Sequence, residues 1–382
     1  MKAGPAPGSI DGRLSQADRL IRQGDLAQAR TLLEAALARA PRHRTALGML
    51  KHVSAMQGDW TLLRRDLERE LGCFSGPQRD WEESHLRLLF GEFARGWALN
   101  EARLRIPGLV TPARRFTEPA WQGEPFPGRT LLLHWEQGFG DTLMFLRYVP
   151  MVKALGGRVV LTVQRELADL AATCGGADLV VPHPGPLPPF DLQASLFSLP
   201  RLFGTELHSI PAGIPYLDVP AHVPHRQALA EVLAGSAGKI RVGLAWAGRP
   251  GHPRDAERSL DPALLAPLAA LPGVAWHSFQ LGPPRPLPLP EVRVLAPLLG
   301  DFSDTAYALS GMDLVLAVDT ALVHLAGALG VPALVLLAFA PDFRWLLGRE
   351  DSPWYPSLRL YRQPVPGAWA PVLQRVLRDL QG

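Results

Sequence analysis

Through the first hundred residues the apolar positions recur at helical spacing. Ala17 stands where one helix would cross the next, and Ala29, Leu33 and Ala36 line one face of the following segment, which Pro41 closes. From Arg129 the pattern changes to short apolar runs, each followed by a mixed segment. The runs predict strands over Thr130–His134, Arg158–Val163 and Asp178–Val181, with helices over Thr142–Leu155 and Glu166–Cys174. A second alternation predicts strands over Ile240–Ala245, Ala275–Gln280, Leu314–Ala317 and Ala333–Ala338. Its helices are expected over Pro262–Leu271, Thr305–Ser310, Ala321–Leu329 and Trp369–Leu380. Strands and helices alternating at this length imply an α/β fold with parallel sheets covered on both faces.

The helical segment carries a repeat. Gln23-Gly24-Asp25 returns as Gln57-Gly58-Asp59, 34 residues on, the period of tetratricopeptide (TPR) repeats. The second unit is degraded, with Lys51 where a small residue belongs. A stable stack needs about three repeats, so support is expected from helices over Trp81–Arg103 and from the next domain. Five prolines between Ile106 and Pro127 mark a linker. These shifts divide the chain into a disordered tail (1–10), a TPR-like helical domain (11–106), a linker (107–127), a first α/β domain (128–226) and a second (238–382). The helical part is either a cap or a groove for a protein partner.

Composition narrows the class. The 382 residues are 47% hydrophobic and 20% charged, which suits a globular protein with more than one core. A net charge of +3 gives no electrostatic case for nucleic acid. Cys73 and Cys174 form neither a ligand pair nor a disulfide ladder, so a reducing compartment fits. The start, MKAGPAPGSIDGR, lacks a signal peptide's apolar core, and no apolar run reaches the roughly 18 residues of a membrane span. The expectation is a cytoplasmic protein without a transmembrane segment.

Three places carry candidate chemistry. Gly138-Phe139-Gly140-Asp141 lies between a strand and a helix, where glycines let a ligand approach the backbone. It is no dinucleotide fingerprint, because position 143 is Leu. Asp141 reads either as a helix cap or as a general base. Asp319-Thr320-Ala321 opens a helix on which Thr320 and His324 share a face, and its free amides suit a diphosphate. Here too a capping acid and a satisfied histidine are the plain alternative. The loop from Trp246 through Gly248, Arg249, His252 and Arg254 to Arg258 and Ser259 leaves a strand, and reads as a phosphate clamp or a solvated loop. There is no Asp-x-Asp, no zinc-spaced Cys/His set and no Gly-x-Ser-x-Gly turn. Gly235 to Lys239 mimics a P-loop tail, but both ends of that motif fail.

Taken together, EQGFGDTLMFLRYVP, PPFDLQASLFSLPRLF, GLAWAGRPGHPRDAERSL, AVDTALVHLAGALGVP and FRWLLGREDSPWYP resemble bacterial tetratricopeptide proteins with a glycosyltransferase domain. That domain is related to the lipopolysaccharide heptosyltransferases, glycosyltransferase family nine. The resemblance runs from about Trp121 to the C terminus. It implies a GT-B fold, two Rossmann-like domains across a cleft, with the C-terminal helix returning to the first. It implies metal-independent inversion at the anomeric carbon, with a nucleotide-sugar as co-substrate and no other cofactor. By this resemblance Asp141 is the base, and Asp319-Thr320-Ala321 grips the donor diphosphate, with Ala321 where the family has glycine. Arg258, followed by Ser259, is the basic residue on the diphosphate, and Gln280 meets the nucleoside. Gly138, Gly140, Trp246, Gly248 and His324 complete the expected substrate contacts. Arg344, Trp345, Asp351, Trp354 and Tyr355 either edge the cleft or pack as ordinary aromatics and their neighbours, and Asp191 and Gln193 are candidates on the acceptor side. The repeat suggests a polypeptide acceptor or partner, with a saccharide or lipid-linked acceptor as the alternative. Two other readings stay open, a catalytically idle adaptor and a nucleotide-sugar epimerase.

Overall fold

The computed structural model describes residues 9–110, 116–251, 255–282, 285–339 and 342–381. Most of the expected tail and part of the expected linker therefore lie outside the described residues, as do His252 and Arg254. The chain forms two compact units: Met1–Leu109 with Ala340–Leu347, and Val110–Phe339 with Gly348–Gly382. This grouping places both sheets in one unit and counts 340–347 with the helices.

The first unit is three helical hairpins: α1 (Ile10–Gln23) with α2 (Leu26–Arg39), α3 (Arg44–Met56) with α4 (Trp60–Leu71), and α5 (Gly76–Leu89) with α6 (Phe93–Asn100). The repeated Gly-Asp has a local cause. Gly24 (φ 80°) and Gly58 (φ 66°) take the left-handed conformation that ends a helix. Asp25 and Asp59 then accept the Gln28 and Leu62 N–H groups as caps of the next helix. The third turn, Gly91-Glu92, keeps the glycine at φ 76° but has no side-chain cap. Ala17, Ala29, Leu33 and Ala36 are fully buried. Lys51 pairs with Glu70 at 2.6 Å. Buried Asp66 accepts from Arg30 at 2.7 Å and from Ser54 at 2.5 Å, so its charge is compensated.

The second unit opens with β1 (Thr130–His134), α7 (Phe139–Phe145), α8 (Val149–Lys153), β2 (Arg158–Gln164), α9 (Ala168–Ala171), β3 (Leu179–His183), β4 (Leu192–Ser195) and α10 (Leu199–Leu202). These strands form a parallel sheet in the order β3-β2-β1-β4. After α11 (Arg226–Ala234) come β5 (Ile240–Ala245), α12 (Asp255–Arg258), β6 (Val274–Ser278), β7 (Arg293–Val294), α13 (Phe302–Ser310) and β8 (Leu314–Val318). The chain ends with α14 (Ala321–Leu329), β9 (Ala333–Leu337), β10 (Leu358–Arg362) and α15 (Trp369–Gln381). This second sheet is also parallel, in the order β10-β9-β8-β5-β6-β7.

Several expected elements change. The helix expected over Thr142–Leu155 starts earlier, at Phe139, and breaks into a 3-10 turn at Leu146–Tyr148 before α8, whose second residue is Pro150. Pro262–Ala270 is a 3-10 helix, since Pro267 lies inside it and has no N–H for an α bond. The C-terminal helix α15 packs on the second sheet. Its apolar face of Trp369, Val372, Leu373 and Val376 completes the second sheet's core with Trp246, Trp276 and Tyr361. Among the described residues no helix is long and apolar enough to cross a membrane.

Candidate functional site

Strand order locates the openings for a ligand. In the first sheet the chain runs from β1 to β2 and β3 on one side, while β4 lies on the other. In the second, β5 leads outward to β6 and β7, and β8 leads the opposite way. Where winding reverses, the connections leaving the strands' carboxyl ends part, and a crevice opens between them. The turn after β1 holds Gly138 to Asp141. The connections after β5 and β8 hold Trp246 to Ser259 and Asp319 to Ala321.

Gln137 takes φ 63°, uncommon for a residue with a Cβ, and turns the chain from β1 into α7. Gly138 caps α7. Gly140 and Asp141 therefore lie within its first turn, not before it. The Asp141 Oδ2 accepts the Gly138 N–H at 3.0 Å, so the carboxylate is held at the third helical position. Thr142 Oγ1 donates to Gln164 Oε1 at 2.9 Å and ties α7 to the end of β2.

Gly140 has a different neighbour from the one expected. A Cβ there would lie 2.8 Å from His324 Cδ2 and 3.3 Å from Nε2. The missing side chain thus admits the imidazole of α14, and α7 packs on α14. His324 is 4% exposed; its Nδ1 is 3.0 Å from the Tyr355 hydroxyl, and its Nε2 is 4.0 Å from Asp319 Oδ1.

Thr320 is the N-cap residue of α14 in extended conformation, yet its hydroxyl makes no capping bond. Thr320 Oγ1 is buried with no hydrogen-bond partner among the described residues. Arg258 crosses from α12 to donate to the Asp319 carbonyl at 3.2 Å, and its Nε donates to Asp255 at 3.3 Å. A side chain at Gly248 would strike the guanidinium, and the Gly248 N–H donates to Ser259 Oγ at 3.0 Å. Gly248, Arg258 and Ser259 thus close the long loop on itself beside the start of α14.

Other expected contacts are redirected. Gln280 Oε1 accepts the Trp246 and Ala247 N–H groups at 3.0 and 2.8 Å, and Nε2 donates to the Ala247 and Leu281 carbonyls. Four bonds saturate an amide, so Gln280 pins the loop after β5 to the chain after β6. Trp246 is 5% exposed and packs in the core of the second sheet. Asp191 accepts the Thr130 N–H at 2.7 Å and Gln193 bonds His134 at 3.1 Å, so both join strand ends. Arg344 and Trp345 belong to the helical unit. Asp351 pairs with Arg349, and Trp354 is buried. Tyr355 is fully buried, and its ring covers Gly327 of α14, where a Cβ would overlap it. Arg147, in the 3-10 turn after α7, is buried beside Tyr355, and its place in an apolar run gives no sign of that in the sequence. Glu136, in the turn after β1, is 2% exposed, a burial that no sequence pattern around it signals. Among the described residues no group of three or more His, Cys, Asp or Glu could hold a metal ion.

No family model matches the chain. Over 325 residues it is 30% identical to Protein FlbA of Caulobacter vibrioides, spanning 77% of this chain and 53% of that protein. The chain therefore corresponds to about half the length of that relative. Among solved structures it is similar to a glycosyl transferase family 9 protein from Veillonella parvula (TM-score 0.48, 11% identity, 63% of this chain and 87% of that one). It is also similar to the E. coli ADP-heptose lipopolysaccharide heptosyltransferase II (TM-score 0.46, 12% identity, 66% and 97%). Neither likeness is strong enough to fix a fold name.

Proposed function

We propose that the chain is a GT-B glycosyltransferase that moves a sugar from a nucleotide-diphosphate donor to a hydroxyl acceptor, with inversion and without a metal. The observation that carries the reading is the contact of Gly140 with His324. It brings Asp141, the next residue along, to the helix whose first residues suit a diphosphate. Inversion needs the base and the leaving group on opposite sides of the sugar carbon, and in this reading Asp141 takes one side and the start of α14 the other.

In this reading Asp141 takes the proton of the acceptor hydroxyl as that oxygen attacks the anomeric carbon. The bond to the Gly138 N–H holds the carboxylate in one orientation. A positioned base contributes about 10²–10⁴ in rate. Arg258, the first amides of α14 and the Thr320 hydroxyl meet the charge growing on the departing diphosphate. Arg258 is already anchored to the Asp319 carbonyl, so little reorganisation is needed during reaction. Ala321 adds a methyl at the helix start but leaves its amide in place. The acceptor is proposed to be a protein, docked through the helical hairpins.

The test is incubation with a panel of nucleotide-sugars, with and without cell lysate. Release of free nucleotide supports transfer, sugar interconversion without an acceptor points to an epimerase, and neither points to an adaptor. Intact-mass shifts on a lysate protein identify a polypeptide acceptor. Asp141→Asn should bind nucleotide as the wild type does while transfer falls at least about a hundredfold. Unchanged turnover removes Asp141 from the role of base. Arg258→Ala should mainly weaken nucleotide affinity by calorimetry.

A further inference from the structure

Arg147 is 4% exposed, and none of its partners among the described residues is a carboxylate. Its guanidinium donates to the carbonyls of Met144 (2.9 Å), Pro211 (3.3 Å) and Trp354 (2.9 Å), and to the Tyr216 hydroxyl (3.3 Å). It lies over the rings of Tyr216, Trp354 and Tyr355, at 4.8, 5.3 and 4.8 Å. A buried cation held this way has only donors to offer, so each hydroxyl beside it turns its own proton elsewhere. Tyr216 gives its proton to the Leu143 carbonyl at 2.8 Å. Tyr355 has His324 Nδ1 at 3.0 Å. Burial raises the Tyr355 phenol well above its ordinary range, so it remains an O–H donor. Gly327 lets the Tyr355 ring lie directly on α14, one turn from His324.

We propose that Tyr355, seated between Arg147 and His324, is a positioning residue: its hydroxyl donates to His324 Nδ1 and fixes the imidazole as the Nε2–H tautomer. The second ring nitrogen then offers its proton beside Asp319, at the start of α14. This rests on the transferase reading in one respect, that the Nε2–H serves the oxygens of the departing diphosphate. A hydrogen bond on one imidazole nitrogen sets which nitrogen carries the proton on the other side. The aromatic and basic groups around Tyr355 thereby act on the donor site without touching the donor.

The test uses the full chain labelled with ¹⁵N-histidine. Two-bond ¹H–¹⁵N correlations at pH 8 report the tautomer of each ring, and His324→Gln assigns the signal. The expected result is an Nε2–H ring with Nδ1 as acceptor. In Tyr355→Phe the His324 signal should shift to a mixture of tautomers while the other ten histidines keep their positions, which also verifies the fold. Gly327→Ala, which displaces the ring but keeps its hydroxyl, should produce the same mixture. An Nδ1–H or doubly protonated ring in the wild type, or an unchanged ring in Tyr355→Phe, overturns the proposal. With a nucleotide-sugar that the wild type turns over, Tyr355→Phe should lower kcat about tenfold and leave KM within about twofold, the scale of one misplaced hydrogen bond. Equal loss in both parameters contradicts a positioning role. If the wild type turns over no donor yet shows the Nε2–H ring, the transferase reading fails and the tautomer assignment stands.

Discussion

At position 140 the absence of one methyl group decides how two helices meet. An alanine there would place its Cβ 2.8 Å from the His324 ring, inside van der Waals contact. Overpacking of this kind costs about 1–3 kcal/mol. Gly140→Ala should therefore lower the urea midpoint, and in a His324→Ala background the same change should cost less than about 1 kcal/mol. Equal penalties in both backgrounds would show that the two positions do not interact. The sequence reading has the glycines of this turn admit a ligand to the backbone; in the structure the group next to Gly140 is the His324 ring. Nothing in the sequence signals that a histidine far along the chain is what approaches, because local pattern carries no information on long-range partners. The same limit applies to Gln280 and Trp246. Trp246 directly follows β5 and belongs to the core, while Gln280 lies two residues beyond β6, which ends short of the strand expected there, and is saturated by backbone.

At the scale of elements, the glycine-bearing turn after β1 is also a helix start, and this changes how Asp141 must be tested. Its carboxylate caps the Gly138 N–H, so the capping alternative describes its bonding in this structure while the base role remains a proposal. Asp141→Ala removes this partner and should cost about 1 kcal/mol of stability. Asp141→Asn keeps an amide oxygen as acceptor and should cost less. If both variants melt like the wild type, the cap contributes nothing and the alanine serves equally well for kinetics. Strong periodicity made β1, β2, β5, β8, β9 and α14 legible. The short β4 and β7 were not, since four and two residues carry no measurable alternation. The third hairpin escaped the repeat because its turn reads Phe90-Gly91-Glu92. The left-handed glycine survives there, while the capping aspartate that made the first two turns recognisable does not.

For the whole molecule, the parallel α/β character could be read from alternation, but the order of strands could not, since many orders satisfy the same pattern. One consequence of the observed order is a histidine enclosed in the second sheet. His277 on β6 is fully buried, its Nδ1 3.0 Å from the Ala275 carbonyl and its Nε2 3.0 Å from Ser236 Oγ. Desolvation, with Arg293 and Arg241 nearby, pushes its pKa from 6.5 to about 4. The unfolded chain therefore binds a proton below about pH 6.5 that the folded chain refuses until about pH 4. Folding stability is fully present above the higher value, declines as pH falls through this window and levels off below it. His85 in the helical unit, also lowered by burial, adds a slope of the same sign. Asp351, held below its ordinary range by Arg349, acts only at still lower pH. Urea unfolding at pH 7 and at pH 5 should thus show a clear loss at the lower value, and His277→Asn should reduce it by close to one proton's worth of slope. An unchanged slope in that variant would place the acid sensitivity in the helical unit instead.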